Sequence, residues 1–403
     1  MNNNSAHTKK VIAHLIEGYA ATGENYVYEQ VNFASAYTSV LIAEWRLKHR
    51  YDPVTPAQRL SVFRATFGSP LIERIARFLA RRTLEWPYLQ VLNSFIARRL
   101  RQCDADLVHA HFGMMGVKAL SAVKISRLPL VVTFYGVDGS QAVRDPYWRP
   151  RLIRMLSVAD KVVVLCDEVG DRLVELGCDR SKLLVWDIGI KVEDYPYRPP
   201  RMILTGQPVK FLIVARFVEK KGYEYLLQAF RNVVRNNGVK ASLTIVGNGP
   251  LAPVIQKWIS VYGLTNCVEF IDTLGNPNFF DLFKRLLNTH DIFVLPSVIA
   301  ENGDDEGGPP VVIANAQAVG LPVISTPVGG ITRAIIDGET GVLIQPKDVR
   351  SLSEAMCDLA TNPVKVKHIS EQARTHVELN FNARLQLEKI VHLYDQLLGK
   401  QIQ

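Results

Sequence analysis

The sequence predicts an α/β protein built from two Rossmann-like domains and a C-terminal helical segment. Three observations carry this. The chain has 403 residues, more than one hydrophobic core fills, since single cores stop growing at about 250–300 residues. Short β-branched runs alternate with stretches of helical period through both halves, the rhythm of parallel sheets covered by helices. The rhythm breaks at Tyr195-Pro196-Tyr197-Arg198-Pro199-Pro200, a run too stiff for a helix or a central strand, and then restarts. The expected division is a first domain over 1–198, a second over 205–375, and a terminal helix over 376–403 that can pack back on the first.

In the first half, strands are expected at Val11–Ile16, Ser39–Ala43, Leu107–Ala110, Leu130–Phe134, Lys161–Leu165 and Leu183–Trp186. A basic insert separates the second from the third: Arg46 to Arg101 holds twelve Lys/Arg against three Asp/Glu. Within it Leu71, Ile75, Phe78 and Leu79 follow helical spacing, with Arg74, Arg77, Arg81 and Arg82 interleaved. Trp86, Tyr88, Leu89, Phe95 and Ile96 continue the apolar series. The pattern fits a helix lying on an anionic membrane surface. It fits equally a helix with a basic outer face whose apolar stripe packs into its own domain. No nucleic-acid-binding module accompanies the charge, so nucleic acid is not an expected partner.

The second half repeats the alternation. Strands are expected at Val209–Val214, Leu243–Val246, Val268–Ile271, Asp291–Leu295, Val323–Ser325 and Gly341–Ile344, with a helix from about Gly222 to Asn236 after the first. From Ser351 onward the pattern is helical, interrupted after Asn362-Pro363.

Composition excludes several classes. Five cysteines (Cys103, Cys166, Cys178, Cys267 and Cys357) are scattered without a Cys-x-x-Cys pair, which argues against a disulfide framework or a zinc site and for reduced cytosolic thiols. The start, Met1-Asn2-Asn3-Asn4-Ser5, lacks the layout of a secretory signal, and no apolar run approaches the roughly 18 residues of a membrane span. An intracellular protein is expected. No early Gly-x-Gly-x-x-Gly with an acidic residue about 20 positions later supports a nicotinamide oxidoreductase.

Four segments carry chemistry, each at the carboxyl end of an expected strand, where open α/β sheets bind ligands. Arg216-Phe217-Val218-Glu219-Lys220-Lys221-Gly222 supplies cations that suit a diphosphate, although a solvated loop is the usual place for a Lys-Lys pair. Gly247-Asn248-Gly249 lies between a strand and a helix, fitting either close approach of a phosphate or a plain turn. In Asp304-Asp305-Glu306-Gly307-Gly308-Pro309-Pro310, leading into Val311, Glu306 is expected to face a ligand. Pro310 suits the first helical turn, and Asp304 and Asp305 would serve as helix caps. The loop lacks the spaced oxygens of a calcium site. Val328-Gly329-Gly330 adds a further glycine pair.

At these residues the chain resembles the donor half of the retaining glycosyltransferase family 4, which has the GT-B fold of two Rossmann-like domains facing each other across a cleft. The matching pieces are "ARFVEKKG", "LTIVGNGPL", "DIFVLPS", "DDEGGPPVVIANAQAVGLPVIST", "PVGGI" and "DGETGVLI". The first half is similar through "GENYVYEQV", "DLVHAHFG" and "TFYGVD", in the manner of exopolysaccharide-building members.

The resemblance implies roles residue by residue. Arg216 and Lys221 would grip the donor diphosphate, and Gly247, Asn248 and Gly249 would lie beside the nucleotide. Ile271 would present backbone to the base. Glu306 would contact the transferred sugar, with Gly307, Gly308, Pro309, Pro310 and Val311 closing around the donor. Asn315 takes the place of the second glutamate of the family's pair, which holds the ribose, and stands one residue beyond the usual seven-residue gap. On the acceptor side the resemblance implies Glu24, Tyr135 and Asp138, with Tyr135 replacing the histidine of the Phe-His-Gly segment. His111 is then the imidazole left to face the cleft, or a structural strand-end histidine. The implied reaction moves a sugar with retention, without metal or cofactor, from a UDP- or GDP-sugar to a saccharide acceptor such as a polyprenyl-diphosphate-linked one, at the inner membrane face. The alternative, suggested by Asn315 and Tyr135, is a catalytically degenerate binding or scaffold protein on the same fold.

Overall fold

The computed structural model describes residues 9–19, 25–33, 37–46, 59–64, 85–201, 207–235, 239–274, 276 and 278–399. The chain forms two compact units. One takes the chain as far as Val164, the stretch Gly170–Trp186, and Leu387 onward; the other takes Leu165–Val169 and Asp187–Gln386. The Pro-rich run at Tyr195–Pro200, expected to be the boundary, falls inside the second unit. It is held there by Arg198, whose amide donates to Val319 O at 3.0 Å and whose guanidinium donates to His290 O at 2.9 Å.

The first unit is built on β1 (Val11–Tyr19), β2 (Thr38–Arg46), β3 (Arg59–Arg64), β4 (Leu107–His111), β5 (Leu130–Thr133), β6 (Lys161–Val164) and β7 (Leu183–Val185). They form one sheet in the order β3-β2-β1-β4-β5-β6-β7, parallel throughout. Six of the seven lie where the sequence places them; β3, inside the basic insert, was not expected. It adds an edge beside β2, where charged residues are common because they discourage further strand pairing.

The second unit carries β8 (Val209–Val214), β9 (Ala241–Gly247), β10 (Val268–Asp272), β11 (Ile292–Leu295), β12 (Val323–Ser325) and β13 (Val342–Leu343). Their order is β10-β9-β8-β11-β12-β13, again all parallel. Parallel strands need helical crossovers, and the apolar spacing supplies them. In the helix Tyr223–Arg235, Leu226, Leu227, Phe230 and Val233 are buried on one face. Phe211 and Phe293 from the sheet join Phe230 in a core without solvent.

Both sheets reverse their strand order beside the first strand, at β1/β4 and at β8/β11. In open α/β sheets that reversal opens a crevice at the carboxyl ends of the strands, so the loops after β1, β4, β8 and β11 are the places to look for chemistry.

The terminal helical stretch is three helices, Val349–Thr361, Pro363–Asn380 and Ala383–Leu397. Asn362 caps the second through Lys365 N at 3.1 Å, with Pro363 in the first turn where its missing N–H costs nothing. The last helix begins in the second unit, Ala383 N donating to Ile190 O at 2.8 Å, and from Leu387 belongs to the first.

Of the basic insert, the expected helix around Leu71–Arg82 lies outside the described residues. The helix Glu85–Gln102 buries Leu92, Ile96 and Leu100 and packs on the helix Gly113–Ser126. Trp86 and Val91 are exposed, 73% and 58%, as are Arg98 and Arg101. For this helix most of the apolar stripe serves its own unit. No helix among the described residues is long and apolar enough to cross a membrane.

Candidate active site

The loop after β8 and the loop after β11 meet in an ion pair. Lys221 Nζ contacts Glu306 Oε1 at 2.8 Å and Oε2 at 2.6 Å, with the side chains only 9% and 4% exposed. Ser297, two residues past the end of β11, donates its hydroxyl to the same carboxylate. Burial opposes ionisation of Glu306, but Lys221 and Lys220 outweigh it and hold the carboxyl below its ordinary range. Burial pulls the Lys221 ammonium down against the pull of Glu306, with Lys220 and Arg216 adding repulsion. The pair stays ionised because each charge compensates the other; removing one would leave the other buried alone.

Lys220 is also buried. Its ammonium bonds Asp304 Oδ1 at 3.0 Å and the Asp305 carbonyl at 2.5 Å, while Asp305 Oδ1 accepts from Gly307 N at 2.9 Å. Neither aspartate caps the helix Val311–Ala318, as the capping reading expected; no side chain does. Pro310 is its N-cap residue and stands just outside the first turn. The Lys-Lys pair, expected to be solvated in the plain-loop reading, instead ties two loops together. Arg216 is the exposed member of the set.

The glycine segments pack around this pair. A Cβ on Gly247 would lie 1.9 Å from Ala215 O, so the β9 turn passes against the end of β8 only without a side chain. Gly329 has φ +59°, and a Cβ there would meet Glu306 N at 2.8 Å, so the Val328–Gly330 turn forms the floor beneath Glu306. Gly249, Gly307 and Gly308 also lie in these loops. Asn248 donates to Thr273 Oγ1 at 3.2 Å. Ile271 is half-buried on the edge strand β10. Pro309 is buried, Pro310 and Val311 half-buried. Asn315 is buried in the helix Val311–Ala318.

One face of β1 and β4 carries neutral rings, while Glu17 of β1 pairs with Lys118 at 3.2 Å beside Glu44. β1 and β4 pair with His14 opposite His109, and since alternate residues share a face, His14, His109 and His111 project together. His14 Nδ1 lies 3.0 Å from His111 Nε2. His109 meets Tyr394 Oη at 2.6 Å and Thr133 Oγ1 at 2.7 Å. His111 Nδ1 meets Tyr135 Oη at 2.7 Å. All three rings are fully buried, and burial drives His14 down to about 3 and the other two well below their ordinary value. Their nitrogens fall within 4.8 Å of one another, the one such group among the described residues able to hold a metal. Hydrogen bonds to hydroxyls and between the rings engage every nitrogen except His14 Nε2, so a metal would have to displace them.

His111 therefore does not face solvent; it stands one layer behind Tyr135, which Gln30 Nε2 also reaches at 3.2 Å. Phe112, between β4 and its helix, has φ +71°, a strained value at the point where the strand order reverses. Asp138 is buried and gives both carboxylate oxygens to backbone amides of Gly113, Tyr135 and Gly136. It shapes the loop ends instead of facing a ligand. Burial raises its pKa against the pull of those amides. Glu24 lies outside the described residues.

Sequence reasoning missed Ser297, the buried state of Lys220, and His14, Gln30, His109 and Tyr394. Ser297 was signalled by its place two residues past β11, and the histidines by polar residues at alternate positions in otherwise apolar strands.

Two parallel Rossmann-like units with a helical C-terminal segment define the GT-B class of glycosyltransferase folds, and solved structures agree. A glycosyltransferase from Rickettsia africae ESF-5 superposes with a TM-score of 0.72 at 16% identity, over 98% of this chain and 100% of that one. HepE of Anabaena, in complex with UDP-glucose, does so with 0.73 at 16% identity, over 96% and 99%. Residues 37–194 match the model described as Glycosyltransferase Family 4, and residues 208–362 the one described as Glycosyl transferases group 1. WcaL of Escherichia coli (strain K12), provisionally named a colanic acid biosynthesis glycosyltransferase, is 31% identical over 300 residues, 73% of this chain and 71% of WcaL. The amylovoran biosynthesis glycosyltransferase AmsK of Erwinia amylovora is 28% identical over 309 residues, 76% and 74%. The chain belongs to glycosyltransferase family 4 and is a sugar-transferring enzyme.

Proposed function

We propose that the enzyme transfers a sugar, with retention of anomeric configuration, from a UDP- or GDP-sugar to a saccharide acceptor during assembly of a bacterial exopolysaccharide. The observation that carries this reading is the buried Lys221–Glu306 pair, bridging the loops at the β8/β11 switch point with the exposed Arg216 nearby. On this reading Arg216 and Lys221 bind the diphosphate and stabilise the charge that grows on it as it leaves. Glu306 orients the transferred sugar and favours its positive character. The acceptor oxygen forms its bond to the anomeric carbon as the bond to the diphosphate oxygen breaks, and that oxygen takes the acceptor's proton. The protein's task is then positioning and charge stabilisation, with no metal or cofactor required, since the two cations supply the positive charge.

The relatives' roles in colanic acid and amylovoran biosynthesis support a polysaccharide product. A lipid-linked acceptor, carried by polyprenyl diphosphate, is part of the same proposal. So is a peripheral cytoplasmic position at the membrane, with Trp86, Val91, Arg98 and Arg101 as the contacting face of the helix Glu85–Gln102.

Calorimetric titration with UDP, GDP, ADP and their common sugar conjugates tests the first step. Micromolar binding of UDP or GDP is expected, followed by transfer whose product anomer is read by NMR. Binding to none of them would favour the degenerate-scaffold alternative, which the buried Asn315 in place of a glutamate supports; inversion in the product would overturn the mechanism alone.

A further inference from the structure

The Lys221–Glu306 pair satisfies itself. Lys221 Nζ meets both carboxylate oxygens, at 2.8 and 2.6 Å, and Ser297 adds its hydroxyl to Oε1. All three side chains are buried. Two of the three N–H bonds of the ammonium therefore serve the protein's own carboxylate, and its charge is offset there. To grip a diphosphate through more than the remaining bond, Lys221 has to give up Glu306.

The backbone cannot soften that exchange. Gly329 packs so closely that a Cβ there would lie 2.8 Å from Glu306 N, and a Cβ on Gly222, next to Lys221, would lie 1.9 Å from Pro296 O. Val298 N also donates to Lys220 O at 2.8 Å. Both partners thus stand on fixed loops, and only side-chain rotation separates them. Lys220 is committed elsewhere, to Asp304 Oδ1 at 3.0 Å and Asp305 O at 2.5 Å. When Lys221 turns away, Ser297 is the partner that stays on Glu306. An ionised carboxylate accepts up to about four hydrogen bonds, and a buried one left short of donors is strongly unfavourable. Two ligands answer this differently. A nucleotide-sugar carries hydroxyls beside its diphosphate, and these can donate to Glu306 in place of the ammonium. A free nucleoside diphosphate brings only the anion and leaves the carboxylate short.

We infer that the ion pair masks the diphosphate site: Glu306 withholds Lys221 from a free nucleoside diphosphate and releases it to a nucleotide-sugar, whose hydroxyls take the ammonium's place. This rests on the reading of Lys221 and Glu306 as donor-binding residues. It gives the pair a second task, discrimination between the donor and the product diphosphate. Once the sugar has moved to the acceptor, its hydroxyls leave Glu306, the pair closes again and the diphosphate is displaced. Ser297 is a positioning residue in this scheme, holding the carboxylate in both states.

Calorimetric titration of the full chain with UDP, GDP, UDP-glucose and GDP-mannose tests the mask in wild type, Glu306→Gln and Ser297→Ala, each checked for a cooperative thermal transition. Glu306→Gln keeps the shape and removes the charge. It is expected to bind the free diphosphate about tenfold tighter than wild type, the scale of one charge-assisted hydrogen bond, with no gain for the nucleotide-sugar. Ser297→Ala changes no charge but removes the donor that stays on Glu306. The free diphosphate should then bind about tenfold more weakly, and the nucleotide-sugar should lose less. If Glu306→Gln does not fold, Ser297→Ala carries the test. Glu306→Gln binding the diphosphate no tighter overturns the mask. So does a gain shared equally by diphosphate and nucleotide-sugar, which is the effect of one charge on any anion. Ser297→Ala leaving diphosphate binding unchanged, or weakening both ligands alike, overturns it as well. In each of these cases binding by wild type keeps the function reading standing. If no protein binds any of the four compounds, that reading fails and the mask fails with it.

Discussion

Around β8 and β11 the reversal of strand order is lined by ions: Lys220, Lys221, Asp304 and Glu306 in contact, with Arg216 outside them. Around β1 and β4 one face holds three stacked neutral imidazoles, two phenols and an amide, with the charges of Glu17, Glu44 and Lys118 in a separate cluster. One topology thus presents two chemistries. A diphosphate needs fixed charge that does not reorganise during reaction. A sugar hydroxyl needs directed hydrogen bonds, and a buried neutral network gives direction without charge. The contrast can be broken by protonating one region or by discharging the other.

Acid should give the largest effect. A free histidine titrates near 6.5, while burial holds His14 at about 3 and His109 and His111 well below 6.5. The unfolded chain therefore binds protons that the folded chain refuses. Stability is fully present above 6.5 and falls as pH drops below it, for His14 down to about 3, with His109 and His111 acting in the same direction. His14 alone contributes a slope of about 1.4 kcal/mol per pH unit in its window. Guanidinium unfolding at pH 7.5, 6 and 5 measures it. A flat profile would mean that the rings are solvated and that the first region is not neutral by burial.

Next in size is the loss of one ion. Lys221→Met leaves Glu306 buried without its partner, and an unfolding free energy lower by about 3–5 kcal/mol is expected. Arg216→Ala should do the reverse: no change in stability beyond about 0.5 kcal/mol, because the side chain is exposed, but turnover lower by about 10²-fold. Denaturant curves and initial rates on the two variants together separate structural charge from functional charge. Equal behaviour of the pair would erase that distinction.

Both sheets and nearly all their strands were legible in the sequence, because β-branched runs such as Val209–Val214 have few alternatives to a buried parallel strand. β3 was not, because Arg59-Leu60-Ser61-Val62-Phe63-Arg64 sits in a basic stretch whose composition reads as helix or surface. The proline run lies between the two family-model matches, 37–194 and 208–362, while the division between compact units falls earlier, after Trp186, because it follows which side each segment packs on. Glu306, Lys221 and the glycine turns could be singled out because each lies in a short local motif, although the pairing of Lys221 with Glu306 across 85 positions was not read. The His14–His109–His111 cluster joins residues some 95 positions apart through the β1/β4 register, and a register is not written in either strand alone.

The smallest effect belongs to Asn315, where this chain departs from the family's usual spacing. Asn315 stands one residue beyond the family's usual gap from Glu306, so Ala314 occupies the usual distance, and on a helix the two point about 100° apart. Both are buried, 5% and 2% exposed. If the extra residue is absorbed in the loop before Val311, where Pro309 and Pro310 lie, Asn315 faces the ribose and Asn315→Glu restores a charge-assisted bond. Donor affinity should then hold or improve by up to about tenfold, near 1–1.4 kcal/mol. If the extra residue is absorbed later, the new carboxylate is buried without a donor, and both affinity and stability should fall by several kcal/mol. Calorimetry with the selected diphosphate, paired with a denaturant curve, tells these apart. Improved binding at unchanged stability would place the extra residue in the proline loop and make Asn315 a weakened ribose ligand, in keeping with an active enzyme.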